Sequence, residues 1–281
     1  MASLIYNSAK SDLQKGAIDL NTDDIKAMIV SGYTPNQDTH TRRSDITGEI
    51  TGTGYIAGGK SLTGKTMTQD NTNNRGTFDA DDLIWAAATI SATGAVFYKS
   101  RGGLASADEL VYFMDFGGTL SSTGGDFKVT MPAAGIIQFN SSSFMFNSAK
   151  KEIGDGTIDL DTDDIYCLLT LGYTPDIDAH SKRSDVTGEI SGTGYTSGGV
   201  QLTGKTVSAD NTDNEGVFDA DDVVIASSTL SADGCVLYKK RGGLASADEL
   251  ITYIPFGSTI SSSNSNFKIT WSAEGILNLN D

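Results

Sequence analysis

The sequence predicts an all-β protein: two tandem homologous β-sandwich or jelly-roll-like domains, residues 1–140 and 141–281, each opening with a short helix. Three observations carry this expectation. The chain repeats at a constant shift of 140 residues, so that Asn7-Ser8-Ala9-Lys10 returns as Asn147–Lys150, Gly32-Tyr33-Thr34-Pro35 as Gly172–Pro175, and Arg101–Leu110 unchanged as Arg241–Leu250. About half of the superposed positions are identical, and no residue is inserted or deleted. Short apolar stretches alternate with turn residues at the 8–12-residue spacing typical of sandwiches and jelly rolls, not of βαβ units. Finally, 32 glycines against 4 prolines supply tight turns without a disordered, proline-rich composition.

Within one repeat the elements follow in order. Asn7 is a candidate N-cap and Gly16 a candidate C′ residue, bracketing a helix over Ser8–Lys15 with Ala9 and Leu13 on one face. Ile25–Val30 is an apolar strand ended by the turn Gly32-Tyr33-Thr34-Pro35. Ile46–Ile50 alternates, Gly52-Thr53-Gly54 interrupts it, and Lys60–Thr68 resumes a period of two. Leu83–Ile90 and Ala95–Lys99 flank Ser91-Ala92-Thr93-Gly94, which reads as a hairpin turn. Leu110–Phe116, Phe127–Met131 and Gly135–Phe139 complete about eight strands. The boundary falls near Asn140-Ser141-Ser142-Ser143, a polar joint short enough to keep the two halves close.

The repeat also acts as an internal comparison. Glycines at 48, 52, 54, 58, 59, 64, 76, 94, 102 and 103 all recur 140 residues later. Ile46/Val186, Leu83/Val223 and Val129/Ile269 are volume-conserving exchanges expected of core strands. Charge drifted: residues 1–140 hold 11 Lys and Arg against 15 Asp and Glu, net −4, whereas residues 141–281 hold 9 against 21, net −12. The whole chain, at −16, lacks the cationic surface that displaces counterions from a phosphate backbone, so no nucleic-acid partner is expected. No apolar run nears the ~20 residues of a membrane-spanning helix, and the N-terminus has no signal-peptide pattern, so no membrane partner is expected and synthesis in a cytoplasm is. Cys167 and Cys235 face Ala27 and Ala95 in the first repeat, which favours two small buried thiols over a bridge the fold needs.

Several segments resemble chemical motifs. Gly59–Thr66 and Gly199–Thr206 match G-x-x-x-x-G-K-[ST], but Met67-Thr68-Gln69-Asp70-Asn71 is no helix start, and a glycine-punctuated hairpin is the expected reading. Asp210–Asp222 loosely resembles a calcium loop, yet Arg75 stands where Glu215 does, so a solvated turn is expected and no metal or other cofactor. His40 and His180, the only histidines, occupy matching loops. Asp38, His40, Arg43 and Asp45 recur as Asp178, His180, Arg183 and Asp185, which marks the loop as a candidate for specific polar contacts. Arg101-Gly102-Gly103 and its counterpart at Arg241 read equally as a tight turn or a contact site. No triad, paired catalytic carboxylates or nucleophile elbow stands out, so no enzyme is expected.

The segments Asn7–Asp24, Gly32–Asp45, Glu49–Tyr55 and Tyr98–Gly117 together resemble a group of small structural proteins of tailed bacteriophages and prophages, normally one repeat long. The resemblance spans nearly all of both halves. It implies a virion component, made and assembled in the host cytoplasm, with no catalytic residues. Its expected partners are the major capsid protein or other virion proteins, with self-association as a further option. A capsid decoration (cement) protein is the first expectation, with the less acidic first repeat docking and the more acidic second repeat facing solvent. The alternative is a tail, fibre or head-fibre component that contacts the host surface through exposed aromatics, for which Tyr55, Tyr195, Trp85 and Trp271 are the candidates. Trp85 faces Ile225 and Trp271 faces Met131 across the repeat, which reads as core or semi-core.

Overall fold

The run Ile25–Val30, rich in β-branched residues and free of glycine and proline, forms strand β2 over those same residues, an interior strand of an antiparallel sheet. In the computed structural model, which describes residues 2–141 and 143–280, the first repeat folds as β1 (Leu4–Ile5), α1 (Asn7–Gln14), β2, β3 (Lys60–Ser61), β4 (Thr66–Asp70), β5 (Arg75–Asp79), β6 (Leu83–Lys99), β7 (Glu109–Val129) and β8 (Ile137–Phe139). The second repeat gives α2 (Asn147–Gly154), β9 (Ile165–Thr170), β10 (Val200–Gln201), β11 (Thr206–Asp210), β12 (Glu215–Asp219), β13 (Val223–Lys239), β14 (Glu249–Ile269) and β15 (Leu277–Leu279). The protein is thus all-β with two short helices among the described residues.

Each repeat contributes a large and a small antiparallel sheet. The large ones have the strand orders β1-β7-β6-β2-β3 and β10-β9-β13-β14. The small ones are β4-β5-β8 and β11-β12-β15. The large sheets are dominated by the ribbons β6–β7 and β13–β14, which pair along nearly their whole length.

These ribbons correct the expected hairpin at Ser91-Ala92-Thr93-Gly94, which lies inside β6. The glycine serves close approach here and not a turn. A Cβ at Gly94 would sit 2.8 Å from the carbonyl oxygen of Met114 and 2.8 Å from the Phe113 ring. Opposite it, Asp115 pairs with Gly94 and Leu120 with Ala92, so the intervening residues of β7 loop out as a bulge. A second bulge at Ala87 (φ 49°) places two outward residues in succession and resets the alternation. Leu110–Phe116 and Phe127–Val129 accordingly belong to one strand, β7, and Met131 lies beyond its end.

Two other expectations are also revised. Ile46–Ile50 turns at Gly48 (φ 72°) and makes one bridge, Val30 to Glu49, and is not a strand. Gly59–Thr66 is not a hairpin, because it carries the chain from β3 in the large sheet to β4 in the small one. No helix follows it, and Lys65 Nζ donates to the carbonyl of Asp23.

The helices are displaced by one residue from expectation at both ends. Tyr6 is the N-cap, without a side-chain capping bond, and Asn7 is the first helical residue. Gly16, at φ 61°, follows the C-cap Lys15 and returns its N–H to Leu13. Asn7 does not cap its own helix because it is already the first helical residue, and its amide Nδ2 reaches across to the other repeat.

That reach reflects the global packing. Helix α1 packs on the second repeat's small sheet through β11 and β12, while α2 packs on the first repeat's small sheet through β4 and β5. Met67, Phe78, Ile137 and Phe139 form the buried face of the first small sheet. The buried side chains of both repeats form one continuous core cluster.

Gly94→Ala is expected to destabilise the protein by about 1–3 kcal/mol, because the new methyl overpacks against a strand carbonyl that cannot yield. Chemical denaturation would measure it. The exposed Gly103→Ala, with no atom within 4 Å, should change stability by less than about 0.5 kcal/mol.

Candidate functional site

The two loops singled out in the sequence meet at one buried carboxylate. Asp108, 1% exposed, accepts the backbone N–H of Arg101 on Oδ1 at 2.8 Å and the Arg43 Nε–H on Oδ2 at 2.6 Å. Its backbone carbonyl accepts the N–H of Arg43 at 3.0 Å. The Arg43 guanidinium lies 5.3 Å from the centroid of the Tyr98 ring. Beside it the Arg101 guanidinium holds Glu109 at 2.8–3.0 Å, and Arg42 joins the same carboxylate at 3.0 Å.

The second repeat reproduces this clamp. Asp248 accepts Arg241 N–H and Arg183 Nε–H, both at 2.8 Å, and Glu249 accepts Arg241 at 2.8 Å and Lys182 at 3.2 Å. Arg43, Arg101, Arg183 and Arg241 are therefore brought together in pairs and committed to internal acids. Asp108, Glu109, Asp248 and Glu249 were missed as partners. Their signal was an Asp-Glu pair at a strand start, retained unchanged in both copies.

The remaining candidates have local and inter-repeat tasks. Asp45 Oδ2 accepts the N–H groups of Thr41 and Arg42 at 2.8 and 2.9 Å, and Asp185 does the same for Ser181 and Lys182 at 2.9 Å. Burial works against ionisation of Asp45, but these N–H donors outweigh it and hold its carboxyl below the usual range. The Nδ1 of His40 accepts the Asn36 N–H at 3.2 Å and lies 2.7 Å from the Tyr33 hydroxyl, which in turn lies 3.0 Å from the Tyr6 hydroxyl. His180 has the same relation to Asp176 and Tyr173. No nucleophile with a free position accompanies either histidine in these bonds.

Asp38 and Asp178 lie on the inter-repeat contact. The Asn7 amide Nδ2 faces Asp38 Oδ1 at 3.0 Å and the Oδ1 atoms of Asn211 and Asn214 at 3.1 Å. Asn147 faces Asp178, Asn71 and Asn74 at 2.8, 3.4 and 3.1 Å. Beside them Lys10 Nζ donates to the Asn214 carbonyl at 2.6 Å and Lys150 Nζ to the Asn74 carbonyl at 2.5 Å. The turn at 211–214 in the acidic segment is exposed, as expected, and its Asn211 and Asn214 also meet the other repeat. The acids of the segment diverge: Asp222 pairs with Lys268, and Glu215 accepts from Asn278 and Asn280. Among the described residues no three His, Cys, Asp or Glu side chains gather to hold a metal. Arg75, opposite Glu215 in the repeat, instead binds Asp70 and Gln138, so each copy has its own local pairing.

What the clamps hold out is apolar. Leu104 and Leu244, at the tips of the β6–β7 and β13–β14 ribbons, are 77% and 78% exposed, and each follows a glycine pair with nothing within 4 Å. Gly102 (φ 73°) and Gly242 (φ 76°) permit the sharp turn. A single 3-10 turn, Ala105–Ala107 or Ala245–Ala247, then leads into the buried acids.

The expected aromatic platforms are otherwise placed. Trp85 is buried, and the Tyr55 and Tyr195 hydroxyls donate to Glu49 and Glu189 at 2.9 and 3.2 Å. Trp271, like Tyr55 and Tyr195, is half-buried. With Phe144, Tyr253, Pro255, Phe256 and Ile260 it lines an apolar cleft of about 580 Å³ in the second repeat. The first repeat has Leu4, Asp115 and a buried Met131 at three of these positions. Both cysteines are buried and free; a hydrogen bond with Cys167 and burial push the Cys235 thiol up, away from its reactive form. Among the described residues no helix is long and apolar enough to cross a membrane. Comparison with protein-family models, curated proteins and solved structures finds no match to the chain.

Asp108→Asn should cost about 2–4 kcal/mol, because Arg43 loses its buried counter-charge, and it should raise hydrogen exchange in residues 100–108. A separate pH effect comes from Glu152 on α2. Burial outweighs the nearby Lys182 and pushes its carboxyl from 4.5 to about 7. The folded state then holds a proton that the unfolded chain releases, so this contribution is complete below pH 4.5 and lost as pH rises through 7. Glu152→Gln should abolish that decline. Relative to the wild type, the variant gains on the order of 3 kcal/mol between pH 4.5 and pH 8 in urea titrations.

Proposed function

We propose that this chain is a non-enzymatic virion structural protein of a tailed bacteriophage, a capsid decoration protein that docks on the outer head surface through its two ribbon tips. The observation that carries the reading is the pair of exposed leucines, Leu104 and Leu244, each presented by the same ten-residue segment on a charge-clamped base. A large apolar side chain that stands almost fully in water in both copies suits insertion into a pocket of a partner protein. The clamp limits the ordering entropy lost on binding, because the loop is already fixed by buried pairs. The acids and bases of these loops are spent on one another, which supports a surface for contact over one for chemistry. Two equivalent tips on one chain suit a lattice of repeated sites, where the second contact gains from effective concentration.

A second reading rests on the cleft around Trp271. Aromatic faces over a partly open apolar floor suit stacking on a sugar ring of a host surface, as a tail, fibre or head-fibre component requires. Glycan-array binding that is lost in Trp271→Ala and kept in Leu104→Asp would favour it.

Leu104→Asp and Leu244→Asp together should reduce binding to heads stripped of this chain at least about 100-fold, with melting temperature nearly unchanged because both sites are exposed. Each single variant should lose about tenfold if both tips dock. Loss confined to Leu104→Asp would instead favour docking through the less acidic repeat. Unaltered binding of the double variant would exclude the tips.

A further inference from the structure

The contact between the repeats has the form of a two-fold interface, with the second repeat standing as the symmetry mate of the first. The Leu20 N–H donates to the Gly154 carbonyl at 3.0 Å, and the Leu160 N–H donates to the Gln14 carbonyl at 2.8 Å. Adding 140 to one end and removing it from the other converts each bond into its partner. The same holds where Gly16 lies against Asp159 and Gly156 against Asp19, and where Asn7 and Lys10 meet the 211–214 turn while Asn147 and Lys150 meet the 71–74 turn. Asn140 and Asn280, equivalent positions, exchange both backbone bonds with each other at 2.9 and 3.1 Å, which puts the axis between them. Residue i touching j while j touches i is the signature of an isologous interface.

The packing across it is that of an interior. A Cβ at Gly76 would lie 2.9 Å from the Lys150 carbonyl group, and one at Gly216 would lie 2.8 Å from that of Lys10, so helix backbone rests directly on strand backbone. A Cβ at Gly154 would lie 2.6 Å from the Met67 methyl and 3.3 Å from the Phe139 ring. Asn7, Lys10, Gln14, Asn147 and Lys150 are buried, with hydrogen bonds that cross to the other repeat. A small sheet of five-, five- and three-residue strands without its covering helix would expose Met67, Phe78, Ile137 and Phe139, and sheets of that size do not stand alone in water. The helix without its sheet would strand buried amides and an ammonium.

We infer that the partner of each repeat is a second copy of the same unit, and that neither repeat folds singly: the chain is an exchanged homodimer joined into one polypeptide. The joint at residues 141–143 contributes effective concentration and not contacts that the interface needs. The inference is independent of what the tips bind.

The test cuts the joint in the full-length protein. A protease site is inserted between residues 141 and 143, and the folded chain is cleaved. The cleaved protein is expected to elute as one particle of about the intact 29.5 kDa and to unfold in a single transition. Its melting temperature should fall with each dilution, while that of the uncut protein stays constant. Separation into two folded halves, or a melting temperature independent of concentration, would overturn the inference. Should the insertion itself prevent folding, Gly216→Val in the uncut chain serves instead, since it wedges α1 off the other repeat's sheet. Hydrogen exchange should then rise in both repeats together. A rise confined to one repeat would be equally fatal.

Discussion

A three-stranded sheet with one apolar face must be covered, and here the cover comes from the other repeat. That requirement organises the molecule. It places α1 between its own β7 and the small sheet of the second repeat, and α2 in the mirror position. It explains why Gly76 and Gly216 admit no side chain, since any Cβ would collide with a helix carbonyl. It also explains the buried Lys10 and Lys150, whose ammonium groups close the 211–214 and 71–74 turns by donating to their carbonyls. Polar groups buried at such a seam are costly unless bonded, so their bonds fix a single register between the repeats.

The clamps at Asp108 and Asp248 solve a different problem. The long ribbons would fray at their tips, where glycine pairs leave the backbone free. Burying one carboxylate under two arginines ties the tip to the 41–45 loop, and a second carboxylate takes the remaining guanidinium. Lys182 extends the network in the second repeat from Glu249 to Glu152 on α2, so the seam and the tip are electrostatically linked there.

Local features were legible in the sequence and nonlocal ones were not. Ile25–Val30 is read correctly because a β-branched run has one local meaning. Gly16 is read correctly because its positive φ serves a helix end. Gly94 misleads because a glycine that relieves a crowded strand looks the same as one that turns a hairpin, and the crowding atoms lie twenty residues away at Met114. The loops around Arg43 and Arg101 are both recognisable as special, but their shared carboxylate is a matter of three-dimensional proximity. Asn7 looks like an N-cap because its true partners, Asn211 and Asn214, are some two hundred positions distant. The exchange of helices leaves no mark in periodicity, since Ala9 and Leu13 would serve equally well against a sheet of their own repeat.

The cleft beside Trp271 is wider and more aromatic than its counterpart, a groove of about 290 Å³ around Leu4, Gly135 and Ile136 in the first repeat. In an assembly of identical chains every substitution is made twice, and a change that improves one surface must be tolerated on its twin. Joining the two units in one gene lifts that condition. Phe144, Pro255 and Trp271 could then replace Leu4, Asp115 and Met131 on one side while the other kept its smaller groove. Duplication kept the seam's backbone bonds and its paired Asn and Lys contacts, while the outer surfaces specialised separately.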